Sequence, residues 1–293
     1  MASGSIHGAR SSKVLASDVS APALSPSFLL SIARRLARLC EGIAYSSVLA
    51  ALVGGAMTWA VGQALASPRV AHDAALVACG AFLVYGLDRL RDLDRDRLSA
   101  PRRTAFIVRH RSQLANAAGV AGLVLCVLFA AAPGPKIALC VAVGAVGFLH
   151  RRLKQAVGFK IAYVAAAWTV ACVGLPWLGR SEPGQAAAGE LGWSLLFVGT
   201  AVTANLIASN LREGKRIAPG WPPGRMLLAA RGIAITSASL AGFAPESVAP
   251  LAWIPAAEVL ALGFFRGSER YGHLAVDGAL LIGALAAVAH ASA

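Results

Sequence analysis

Charge is scarce in this chain. Asp, Glu, Lys and Arg make up only 14% of the residues, against about 25% in soluble domains. So few ionic groups do not furnish a water-facing exterior for 293 residues, which excludes an ordinary soluble domain. Aromatic residues are sparse as well, at 7%, and show no run of stacking positions. With the basic residues gathered between apolar runs rather than along one helix face, nucleic acid is excluded as a partner despite a net charge of +13. The five cysteines lie singly, with no CxxC and no Cys/His cluster. That excludes a disulfide framework or a zinc site and leaves small buried hydrophobes. Residues 1–27 contain no apolar block, so they do not form a secretory signal. They read as a disordered cytoplasmic tail, with an organellar transit peptide as the second reading.

Apolar sequence fills the rest. Hydrophobic residues reach 57% and mean hydropathy is +0.64. Apolar segments recur at about 43–66, 71–87, 114–132, 136–149, 159–178, 192–209, 226–243, 248–265 and 272–291. Their lengths suit a hydrocarbon core about 30 Å thick, the shorter ones when tilted or sheltered by neighbours. Abundant Gly and Ala within them permit close helix approach in lipid. The spacing predicts an all-α membrane protein with nine transmembrane helices, occupying residues 28–293. Before the first span, residues 28–41 form an amphipathic basic helix, with Arg34, Arg35 and Arg38 on its polar side, lying along the headgroups.

Basic residues alternate between the connections. Arg10, Lys13 and the Arg34–Arg38 group precede the first span, and Arg89 to Arg111 follow the second. Arg151, Arg152, Lys154 and Lys160 follow the fourth, Arg212, Lys215, Arg216, Arg225 and Arg231 the sixth, Arg266 and Arg270 the eighth. The opposite connections hold only Arg69, Lys136 and Arg180. By the positive-inside rule the amino terminus is cytoplasmic and the carboxyl terminus lies across the bilayer. The expected location is a multi-pass integral membrane protein, such as one of a bacterial inner membrane.

Acids concentrate where the second span ends. Asp88, Asp92, Asp94 and Asp96 alternate there with Arg89, Arg91, Arg95 and Arg97. Each such charge costs about 2.5–3.5 kcal/mol at a bilayer centre, so the segment emerges at a membrane face. Asp88 and Asp92, at i and i+4, share one face of a helical extension. Paired carboxylates suit Mg²⁺, a hard ion that bridges substrate phosphates, and Arg89, Arg102 and Arg103 are able to meet phosphate oxygens. A self-neutralising solvated loop is the plain alternative. The connection after the sixth span offers Asn210, Arg212 and Glu213, with Asn205 about five residues inside the span. An amide at that depth is either functional or an interhelical hydrogen bond. The run RRLKQAVGFK adds Lys154 and Lys160, cations suited to a polyanion or to topology signalling alone. Tyr163, Trp168, Phe197 and Trp253 are candidates for lining an apolar pocket or for facing lipid. No acid pair and no inverted repeat is visible within the spans, which argues against a transporter, and His273 and Asp277 read as interfacial polar residues rather than a proton relay.

This layout resembles the UbiA superfamily of intramembrane prenyltransferases over about residues 40–291. That family has nine transmembrane helices, Asp-rich motifs after the second and sixth, and a basic loop after the fourth. Its first motif, NDxxDxxxD, falls on Val84 to Asp92. Asp88 and Asp92 match the later acids and Arg89 the arginine often found next, while Val84 and Tyr85 stand in place of Asn-Asp. The second motif matches Asn210 and Glu213, with Ile217 where a last acid is usual. The resemblance implies a UbiA-like bundle around a central lipid-accessible cavity, transferring a polyprenyl group from a prenyl diphosphate to an aromatic or other lipophilic acceptor. It implies Mg²⁺ held by Asp88, Asp92, Asn210 and Glu213, and a diphosphate gripped by Arg89, Lys154, Lys160 and Arg212. Tyr85 and Asn205 would line the site. A non-catalytic isoprenoid-binding or accessory protein of the same shape is the alternative, and relatives with other chemistry complete the range.

Overall fold

The computed structural model describes residues 26–93, 97, 100–153, 157–180, 185–212 and 221–292. Among them there is no strand, and each apolar segment contains a helix. A first unit ends at Arg38 and a second runs from Leu39 to Ala293. The first contributes the opening turns of helix α1 (Pro26–Tyr45), where Phe28, Leu30 and Leu36 are exposed. The predicted break at about 41–43 does not occur. Helix α1 continues to Tyr45, and the chain turns at Ser46 and Ser47, the latter held at φ 73°.

The second unit continues with α2 (Val48–Ala64), α3 (Val70–Arg91), α4 (Pro101–Arg109), α5 (Arg111–Ala130), α6 (Gly134–Leu153) and α7 (Val157–Trp177). Next come α8 (Gln185–Arg212), α9 (Pro223–Ser239), α10 (Trp253–Gly263) and α11 (Glu269–Ala291), which carries a π turn at Gly272–Val276. Prolines open α4 and α9, where a missing N–H is no loss because first-turn donors have no helical partner.

Six described helices are long and apolar enough to cross a membrane, and a seventh is reached if α1 and α2 together make one broken span. The apolar parts of α6 and α10 are shorter, Gly134–Leu149 and Ala249–Gly263. At 1.5 Å rise per residue, a stretch of that length covers only about 25 Å. Of the nine expected spans, six or seven are long and apolar enough to cross a membrane among the described residues, and these two are the short ones. The outer surface suits lipid: on α5, Leu123 and Val127, one turn apart, are 70% and 72% exposed, and Ala118 is its one buried residue.

Neighbour follows neighbour in a closed order. Helix α2 packs on α3, α7 and α11, while α3 also takes α5 and α6. Then α6 meets α7, α7 meets α8, α8 meets α9, α9 meets α10, and α10 meets α11, which returns to α2. Small residues set the tightest approaches. A Cβ on Gly283 of α11 would lie 2.6 Å from the Ile254 backbone of α10, and one on Gly54 of α2 would lie 2.9 Å from Val77 of α3. With little hydrophobic force between helices in lipid, such close backbone packing is a main source of cohesion.

Candidate active site at the end of α3

An apolar cavity of about 270 Å³ lies between α3, α5, α6 and α7. Leu76, Val84, Phe129, Leu139, Val164 and Trp168 are among the side chains on its wall. Two polar groups interrupt that wall from α3: Tyr85 and Asp88. Tyr85 is not left unsatisfied, because Trp168 Nε1 on α7 donates to its hydroxyl at 2.8 Å. Directly beyond lies a smaller, polar pocket of about 200 Å³, bordered by Asp88, Arg91 and Asp92 together with Gly147 and Phe148 of α6. Asp88 thus belongs to both spaces. An apolar chamber and a charged pocket thus share one wall, with two carboxylates and one guanidinium on the charged side.

The local fold explains the pairing. Asp92 caps α3, its backbone N–H bonding Asp88 O at 2.9 Å, so helical geometry persists to Asp92 and both carboxylates project on one side. Asp92 is buried, at 8% exposure. The Arg91 guanidinium stacks 5.6 Å from the Phe148 ring centre and holds a positive charge at the rim. Gly147 allows α6 to approach, since a Cβ there would sit 2.9 Å from Val84 Cγ1.

Other predicted site residues are distributed as follows. Lys160, at the start of α7, donates to Asn210 Oδ1 near the end of α8 at 3.3 Å, joining the connections after the fourth and sixth apolar segments. Tyr163, one turn beyond Lys160 on α7, lines the apolar cavity together with Asp88. Arg89 is turned elsewhere: its Nη1 donates to Tyr45 O at 2.8 Å and Ala44 O at 3.3 Å, the otherwise open carbonyls ending α1. Asn205 is on neither cavity wall. It bonds Glu258 of α10 and Val276 O and Asp277 of α11, as an interhelical amide does. Lys154, Glu213, Asp94, Asp96 and the side chain of Arg212 lie outside the described residues.

Sequence reading missed two arrangements. Asp73, unremarked inside the 71–87 segment, and Lys136, counted only as a connection residue, form a fully buried ion pair at 2.5 Å between α3 and α6, with Ser67 Oγ donating to Asp73 at 3.2 Å. The expectation of no acid pair within the spans is corrected as well. Glu258 and Asp277 meet on the Asn205 amide, and His273, taken as interfacial, is only 3% exposed. The available signal was Glu258 itself, a lone acid in an otherwise apolar run.

As a site for Mg²⁺, the donor set is adequate for one ion. That cation is usually bound by one or two carboxylates, completed by water and substrate phosphate oxygens, and Asp88 with Asp92 supplies two on one pocket. Among the described residues, no cluster of three or more His, Cys, Asp or Glu forms a closed metal cage.

Fold and cavity together define a multi-helix membrane protein with an apolar chamber opening beside paired carboxylates. Comparison with family models, curated proteins and solved structures gives no match for the chain.

Proposed function

We propose that this chain is a UbiA-like intramembrane prenyltransferase, with nine helices of unequal length in the membrane and the basic connections and amino terminus in the cytoplasm. It would move a prenyl group from its diphosphate to an aromatic or other lipophilic acceptor. One observation carries the reading: Asp88 borders both the apolar cavity and the polar pocket. A prenyl diphosphate requires that junction, because its bond to be broken lies between a hydrocarbon and a dense anion.

The roles follow from placement. The isoprenoid tail would lie along α3, α5, α6 and α7, and the diphosphate would sit by Asp88, Arg91 and Asp92. Asp88 and Asp92 would hold Mg²⁺, which when bound neutralises leaving-group charge. Lys160, held by Asn210, supplies a further cation from α7. The allylic C–O bond would break with its electron pair leaving on pyrophosphate. The acceptor would then bond to the allylic carbon and lose a proton. Tyr85, Tyr163 and Trp168 offer ring faces to that cationic carbon in a water-poor wall. Glu213, Lys154 and Arg212 extend the same proposal beyond the described residues.

The test uses purified full-length protein in lipid with Mg²⁺ and prenyl diphosphates of several lengths, reading pyrophosphate release in the presence of a membrane extract. Release by the wild type and its loss in Asp88→Asn and Asp92→Asn is the expected result. Undiminished release by both variants overturns the assignment. The second reading, isoprenoid binding without turnover, draws on Tyr85: where the motif has an acid, this chain has a phenol already bonded to Trp168. Saturable binding with no release of pyrophosphate would select it.

A further inference from the structure

A second polar cluster lies where α8, α10 and α11 meet. Glu258, on the apolar helix α10, is completely buried, at 0% exposure. Its Oε1 accepts from Asn205 Nδ2 at 3.3 Å, but Oε2 is buried with no hydrogen-bond partner. The same nitrogen lies 3.1 Å from Val276 O and 3.4 Å from Asp277 Oδ1. The amide's two hydrogens reach other oxygens and none reaches Glu258 Oε2, so this carboxylate is one donor short. Val276 also ends the π turn of α11, a distortion that is frequent at functional sites.

Charge sharpens the shortage. Glu258 is fully buried and so poorly solvated, and a second carboxylate, Asp277, with its side chain 28% exposed, shares the same neutral amide and repels it. A single added proton supplies the missing donor and removes one negative charge. A route for it is present. His273 Nδ1 lies 3.0 Å from Asp277 Oδ2, and His273 Nε2 lies 3.4 Å from Arg103 Nη1 on α4. Arg103 donates its backbone N–H to Glu269 at 3.0 Å, beside the exposed Arg102 on the basic face. The Tyr45 ring stands edge-on to His273 at 5.8 Å, and Arg231 of α9 bonds Leu262 O and Gly263 O at the end of α10.

We propose that Asn205, Glu258 and Asp277 form an intramembrane proton-binding site that exchanges with the basic face through His273. Arg103 covers the outer nitrogen of that histidine, so exchange requires its guanidinium to swing aside. None of Asn205, Glu258 and Asp277 lines the spaces bordered by Asp88 and Asp92, and the proposal does not depend on prenyl transfer.

Infrared spectroscopy of the purified full chain in lipid at neutral pH tests this. The expected spectrum contains a buried carboxylic-acid carbonyl band that disappears in Glu258→Gln and exchanges with deuterium at least tenfold more slowly in His273→Ala. An identical spectrum for the wild type and Glu258→Gln overturns the proposal, as does a band abolished by Na⁺, which would indicate a metal site instead. Should Glu258→Gln fail to fold, the wild type alone suffices. Dicyclohexylcarbodiimide attacks protonated carboxyls in apolar surroundings, and peptide mapping should find its adduct on Glu258 or Asp277. No adduct on either residue overturns the site.

Discussion

Trp168 Nε1 donates to Tyr85 Oη at 2.8 Å, fastening α7 to α3 across the wall of the apolar cavity. This bond explains how a phenol is accommodated at a position where an acid would suit metal binding. In Tyr85→Phe the indole N–H is left without a partner in an apolar wall, at a cost of about 1–3 kcal/mol. A lower midpoint of thermal unfolding in detergent is expected, and Trp168→Phe in the same background should add little further loss. A full second loss in the double variant would show that the two residues act independently.

On the opposite side of α3 from its acidic end, Asp73 and Lys136 are 0% and 1% exposed in their side chains. Removing one partner strands the other charge in the interior, which costs about 3–5 kcal/mol. Asp73→Asn and Lys136→Met should each reduce the yield of folded protein sharply. The paired variant Asp73→Leu with Lys136→Met, which leaves no stranded charge, should recover most of it. Folded yield measured by size-exclusion of detergent extracts distinguishes these outcomes.

Much of this architecture was legible because membranes simplify sequence. Apolar run length answers to bilayer thickness, and every segment located that way contains a helix among the described residues. Span length was less legible. Hydropathy marks 248–265 as one segment, yet Pro250 and Pro255 accompany a 3₁₀ turn at Ala249–Ala252 ahead of α10, so the α-helix is short. At the site, the i, i+4 spacing was enough to put Asp88 and Asp92 on one pocket. Sequence spacing said nothing of Arg89, because its partners are carbonyls of Ala44 and Tyr45, over forty residues away. Nor did it show Glu258 and Asp277 converging, since they lie on different helices and neither marks the other as its neighbour.

Arg89 therefore has a specific expected phenotype. It closes the last carbonyls of α1 and couples that helix end to α3. Hydrogen bonds to a charged donor contribute about 1.5–3 kcal/mol. Arg89→Ala should lower thermal stability by that order while leaving the affinity for a prenyl diphosphate within about twofold. A loss of affinity without a loss of stability would instead put Arg89 on the diphosphate.

Gly147 provides the sharpest steric test, because it lines both the apolar cavity and the polar pocket. A Cβ there would meet Val84 Cγ1 at 2.9 Å and Cγ2 at 3.1 Å, closer than packed carbons tolerate. Val84 is branched at Cβ and stiff at χ1, so α6 has to move rather than the side chain. Overpacking of this kind costs about 1–3 kcal/mol, and Gly147→Val should pay it at the junction between tail and head spaces. Expected results are a modest drop in thermal stability and a larger loss of binding for a fluorescent prenyl diphosphate analogue. Adding Val84→Ala removes both clashing methyls and should restore binding. Failure of that second substitution to rescue would mean that the junction does not admit the ligand.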